Sequence, residues 1–184
     1  MKRTAQRGFT MIELIVVIVI LGILASVALP RLTNMQRDAR VAKLNAARGS
    51  VAAAAAMVHG AAIARQGIPQ PPCPVGGGTP AIAAATGSGT VCTEAGNIPV
   101  TFLWPAGSLA GVVTVAGLVP VGTAPTLGVN GTLAREGYTV TVAGGVVTIR
   151  IVGAGVPATC QFTYTPAPAA NQPAAISPTL TDGC

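Results

Sequence analysis

Residues 9–29 read FTMIELIVVIVILGILASVAL, twenty-one positions with one ionisable side chain, Glu13. As a helix this run spans about 30 Å, the thickness of a bilayer's hydrocarbon core. Basic residues stand on both sides of it (Lys2, Arg3 and Arg7 before, Arg31 and Arg37 after), so charge asymmetry alone gives no orientation. A cleaved export signal would have a shorter apolar region followed by a small-residue site, which Ala25-Ser26-Val27-Ala28 imitates. The helical pattern nevertheless continues past Pro30, which favours one continuing helix. Glu13 is the anomaly. A carboxylate at that depth costs about 3 kcal/mol unless it snorkels to the near interface or meets a counter-charge. A cation on another copy of the same helix would supply one.

The stretch RGFTMIELIVVIVILGILASVALPRL resembles the leader and first helix of type IV pilins and pseudopilins, over residues 2–37. The resemblance implies that a prepilin peptidase cuts between Gly8 and Phe9 and that Phe9 is then N-methylated. It implies that Glu13, fifth in the mature chain, pairs with the N-terminal amine of a neighbouring subunit during assembly. Pro30 matches a proline that lets the helix kink or melt in the filament, and Gly22 a glycine that often accompanies it. The physics is consistent with this. Cleavage creates an ammonium on Phe9, and breaking a buried ion pair by removing one partner costs about 3–5 kcal/mol. The remaining apolar surface has no preference for lipid over another apolar helix, so transfer from bilayer to filament core is cheap.

Beyond Pro30 the sequence turns amphipathic. Leu32, Met35, Ala39, Ala42, Ala46 and Gly49, then Val51, Ala55, Val58 and Ala62, fall at helical spacing and are expected to form the buried stripe. Arg37, Arg40, Lys43 and Arg48 lie mostly off it, and Gly67 and Pro69 stop the helix. The basicity belongs to this helix and the short segment before it and not to the C-terminal part, because beyond Arg65 there are two bases (Arg135, Arg150) and three acids (Glu94, Glu136, Asp182). The plain reading of the bases is a solvated helix face; the alternatives are acidic partner subunits, lipid or nucleic acid. No aromatic residues are interleaved with them, so no specific nucleic-acid partner is expected. His59, the lone histidine, is read as an ordinary helix residue. The stretch ARVAKLNAARGSVAAAAAMVHGAA also resembles the helix of mannose-sensitive haemagglutinin (MSHA-type) pilins.

The remainder is rich in Gly and Pro, with aromatics at only 3% of the chain, so its core must come from Val, Ile, Leu and Ala. Residues 68–99 read as loop. Strands are expected at 100–104, 111–119, 138–143, 146–152 and 161–165, with YTVTVA-GG-VVTIRIV the clearest hairpin. The four cysteines are separated by 19, 68 and 24 positions, unlike the close ligand pairs of a zinc site. Three disulfide pairings are possible; the two local ones, Cys73–Cys92 and Cys160–Cys184, are favoured and imply an oxidising compartment. The fold class expected is α+β: a leader at 1–8, a transmembrane or filament-core helix at 9–30, its amphipathic continuation at 31–66, and a β-rich domain at 67–184 with a disulfide-bounded tail. That layout resembles the globular half of pilins.

Five acids and one histidine, scattered, with no nucleophile elbow, P-loop or dinucleotide fingerprint, argue against an enzyme; no cofactor and no metal are expected. Asn130-Gly131-Thr132 fits a glycosylation sequon but reads better as an Asn-Gly turn. The function expected is a structural subunit of a type IV pilus serving adhesion or motility. Its partners would be identical or related pilins, the prepilin peptidase and the assembly machinery of the inner membrane. The chain would be a single-pass inner-membrane protein before assembly and part of a surface pilus after it. The alternative is a type II secretion pseudopilin. Many of those carry a calcium site, which wants several carboxylates, and the acids here are far apart. A DNA-uptake pilin would want a basic exposed domain, and a plain membrane anchor leaves Glu13 and the Gly8–Phe9 junction unexplained.

Overall fold

The computed structural model describes residues 9–75, 77–120 and 122–184, with the backbone alone at 30–34. The expected leader, Gly8 included, lies outside the described residues. The chain divides into two compact units, one ending at Ala39 and the other Arg40–Cys184. One helix, α1 (Met11–Arg65), belongs to both and runs through Pro30 without a break. It ends where the sequence places a stop. Gly67 adopts φ +72°, a left-handed cap that favours glycine, and its N–H donates to Ile82 O.

In the second unit the docked stretch of α1 packs on two antiparallel sheets. The first contains β1 (Gly89–Thr93), β2 (Gly96–Thr101) and β3 (Trp104–Pro105), in that order. The second contains β4 (Tyr138–Ala143), β5 (Val146–Ile151), β6 (Gln161–Thr165) and β7 (Ala175–Ile176), again in chain order. Strand periodicity decides which side chains go inward. Val147, Ile149 and Ile151 of β5, with Phe162 and Tyr164 of β6, are buried against Leu44, Ala47, Val51, Ala54 and Ala55. Ile98 and Val100 of β2, with Val91 of β1 and Ile82, meet Val58 and Ala62 further along the helix. The helix thus serves as a shared floor for both sheets, and its alanines let them approach closely. Disulfides join Cys73 to Cys92 and Cys160 to Cys184, so each sheet has its own covalent closure.

The hairpin expected around Gly144-Gly145 is present: β4 and β5 pair in register from Tyr138↔Ile151 to Ala143↔Val146. Both glycines have positive φ (57° and 79°), as a two-residue turn matching strand twist requires. Three sequence expectations are corrected. The stretch 68–99 is not all loop, since it holds β1 and the start of β2. The strand expected at 100–104 breaks at a turn through Phe102 and Leu103, which have φ of 51° and 69°. Bulky residues rarely adopt that conformation, so nothing in the sequence marked it. The strand expected at 111–119 is not formed: a kinked helical segment runs to residue 115 and a turn follows. Ser108 caps a π-helical turn (Leu109–Val113) by accepting the Gly111 N–H, and a Cβ at Gly111 would lie 2.2 Å from Ala106 O. Valine content alone suggested a strand; the cap and the close approach at Gly111 override it.

Candidate functional site: the outward surfaces of the helix

The first turn of α1 is built on Thr10. Its Oγ1 accepts the Glu13 N–H at 3.2 Å, and its carbonyl accepts the Leu14 N–H at 3.2 Å. Thr10 and Glu13 stand at capping-box spacing, and the Glu13 charge lies at the helix end where amide dipoles favour an anion. Sequence reading singled out Glu13 but missed Thr10, although Thr-x-x-Glu was legible. Among the described residues the Glu13 carboxylate has no partner.

Every residue from 9 to 29 is exposed, with Phe9 at 79% and Ile12 at 75%. The stretch Met11–Leu29 has mean hydropathy 3.0 and is long enough to cross a membrane. Its one hydroxyl-bearing residue past the cap, Ser26, donates to Ile23 O at 2.7 Å, so it needs no outside partner. A Cβ added at Gly22 would meet nothing within 4 Å, so that face of the helix is open.

The docked stretch of α1 differs from the expectation in one respect. Val51, Ala55, Val58 and Ala62 are buried as expected, but the stripe enters through Leu44 and Ala47. Met35, Ala39, Ala42, Ala46 and Gly49, assigned to the buried stripe, are exposed; Leu32 falls in the backbone-only segment. Two apolar faces ran together in the sequence because alanine fits either. In the second unit the outward one comprises Ala42, Ala46, Gly49, Ala53, Ala56, Gly60 and Ile63, all exposed. Their spacing alternates four and three, the spacing of a coiled-coil seam.

Four of the bases, Arg40, Lys43, Arg48 and Arg65, are tied to the domain and do not form a solvated face. Arg40 Nη1 donates to Cys184 O at 2.9 Å, Arg48 Nε to Ser177 O at 2.8 Å, and Arg65 Nη1 to Cys92 O at 3.0 Å. Lys43 Nζ donates to Glu136 O and lies 4.6 Å from the centre of the Tyr138 ring. Four cations of the helix therefore hold main-chain carbonyls of the same domain, two of them on disulfide cysteines. His59 is also absorbed internally. Its ring stacks on Trp104 (centroids 3.9 Å, planes 11° apart), and Nδ1 must carry the proton it donates to Leu103 O at 3.0 Å. Burial raises the Tyr164 phenol well above its usual range, and its hydroxyl donates to Pro105 O at 2.7 Å. Burial, and then the Glu136 charge, also raise Tyr138. No cluster of three potential metal-binding side chains occurs among the described residues.

Comparison with known proteins points the same way as the helix. Residues 3–29 match the family model for the prokaryotic N-terminal methylation motif. The chain is 41% identical over 63 residues to the type IV narrow pilus major component PilA5 of Thermus thermophilus, covering 34% of this chain and 52% of that protein. It is 62% identical over 32 residues to the type II secretion system core protein G of Klebsiella michiganensis, covering 17% of this chain and 22% of that protein. Against the core protein G of Pseudomonas aeruginosa the figures are 48% over 56 residues, 30% of this chain and 37% of that protein. The chain thus spans about half the length of the first of these relatives and less of the other two. No solved structure matches it. Over its N-terminal helix, then, the chain carries the prokaryotic methylation motif and is similar to a type IV pilin and to type II secretion pseudopilins.

Proposed function

We propose that the chain is a structural subunit of a type IV pilus, anchored by residues 9–29 in the inner membrane and then packed by the same helix into a filament exposed at the cell surface. The observation that carries this reading is the wholly exposed apolar surface of Met11–Leu29, with one charged side chain, Glu13, that has no partner among the described residues. Such a surface is satisfied by lipid or by other copies of itself.

In this reading the prepilin peptidase cleaves between Gly8 and Phe9, and Phe9 becomes the methylated N-terminus. Glu13 then receives the Phe9 ammonium of an adjacent subunit. Charge neutralisation in a dry core fixes the axial register between subunits, while Gly22 and the break-prone Pro30 allow the helix to adapt. The type II secretion reading stays as the second one, because two of the relatives are core protein G. Intact-mass analysis of sheared appendages tests the main reading. The expected species begins at Phe9 with one added methyl group. A chain still carrying Met1–Gly8, or no appendage containing the chain, contradicts it.

A further inference from the structure

We propose that, within the filament, an apolar knob at residues 127–129 of one subunit seats in an apolar groove on the globular domain of the next copy. This rests on the filament reading above. The groove is a cavity of about 900 Å³ floored by Met57 and Ala61 of α1 and walled by Val75, Leu109, Val119 and Pro120. The β1–β2 turn closes one side and places Glu94, an exposed side chain, at its rim.

The knob is built to stand away from its own domain. Thr126 and Thr132 clasp each other: each main-chain N–H donates to the other's Oγ1 at 2.9 Å, and Thr132 Oγ1 donates to Ala124 O at 3.1 Å. Between them the loop carries Leu127, 50% exposed, and Val129, 93% exposed. A single exposed valine is ordinary. One held at the apex of a hydrogen-bonded loop has already lost the conformational freedom that binding would otherwise remove. One helical turn beyond the loop, α2 (Thr132–Arg135) ends in exposed Arg135. Among the described residues neither Arg135 nor Glu94 has an ion-pair partner.

Knob and groove are therefore complementary in both character and charge: apolar tip with a flanking base, apolar trough with an acid at its rim. They are different patches of one molecule. A head-to-tail contact between different patches generates a helical polymer wherever its rotation does not close a ring, which is the geometry the filament reading needs. The occupant it requires is a second copy of this chain.

The test places a photo-crosslinking amino acid at position 129 in the full-length chain and irradiates intact filaments. The expected product is a covalent dimer whose cross-linked peptide maps to Met57–Ala61 or residues 109–125 of the partner. Dimers mapping elsewhere, or monomer only, overturn the proposal while leaving the filament reading intact. Absence of filaments from the unmodified chain overturns that reading and the proposal with it. As a second arm, Glu94→Arg and Arg135→Glu should each cut filament yield roughly tenfold, as one lost contact per subunit would. The double exchange should restore it. Wild-type yield from either single variant, or no recovery in the double, overturns the pairing.

Discussion

Tyr164 is fully buried, and its hydroxyl is committed to Pro105 O. Its folded pKa lies above the usual phenol value, so the folded state resists losing this proton. The stabilisation is complete below about pH 10 and is lost as pH rises beyond it, because the unfolded chain ionises first. Denaturant midpoints measured across that range should fall, and more shallowly in Tyr164→Phe. At neutral pH Tyr164→Phe should itself cost about 1–3 kcal/mol, because Pro105 O is left without its donor. The cations of α1 act at the same scale. Arg48→Met removes the donor to Ser177 O and should lower stability by about 1 kcal/mol, read as a fall of a few degrees in melting temperature. A neutral effect would mean that this base serves a partner and not the domain.

At the scale of elements, legibility followed chemistry that leaves a local mark. The apolar run, the Gly67 stop and the Gly144-Gly145 turn are residue types with few alternatives, and each is where the sequence implied. The Phe102-Leu103 turn was invisible because hydrophobic residues at positive φ are held there by tertiary contacts, including the His59 bond to Leu103 O. The two faces of α1 were merged because a run of alanines carries no signal to separate buried from exposed. The outward face gives a clean test. Gly49 and Gly60 have nothing within 4 Å of an added Cβ, so Gly49→Leu and Gly60→Leu should leave the melting temperature unchanged or slightly raised, since glycine is a poor helix former. Filament yield should nonetheless drop if the seam packs against another helix. Unaltered yield would assign the face to solvent.

For the whole molecule, the globular unit must stay folded without many large side chains in its core. Each of its disulfides closes a loop of 19 or 24 positions, worth about 3 kcal/mol in the chain-entropy model. Replacing Cys160 and Cys184 by serine should reduce stability by about that amount in chemical denaturation and also loosen the Arg40 anchor on Cys184 O. Among the described residues the other unit has no buried core, and on the proposed reading it depends on lipid or neighbouring copies. The central claim is that Glu13 converts this dependence into a defined assembly. Glu13→Ala removes a polar group that is costly in a bilayer, so membrane insertion should be unimpaired. On the proposed pairing it strands the Phe9 ammonium of the adjacent subunit in a filament, so the chain should accumulate in the membrane, with Glu13→Gln intermediate. The direct measurement is cell fractionation together with filament counts by electron microscopy. The account predicts a full membrane pool and few or no filaments for Glu13→Ala; filament numbers equal to wild type would contradict it.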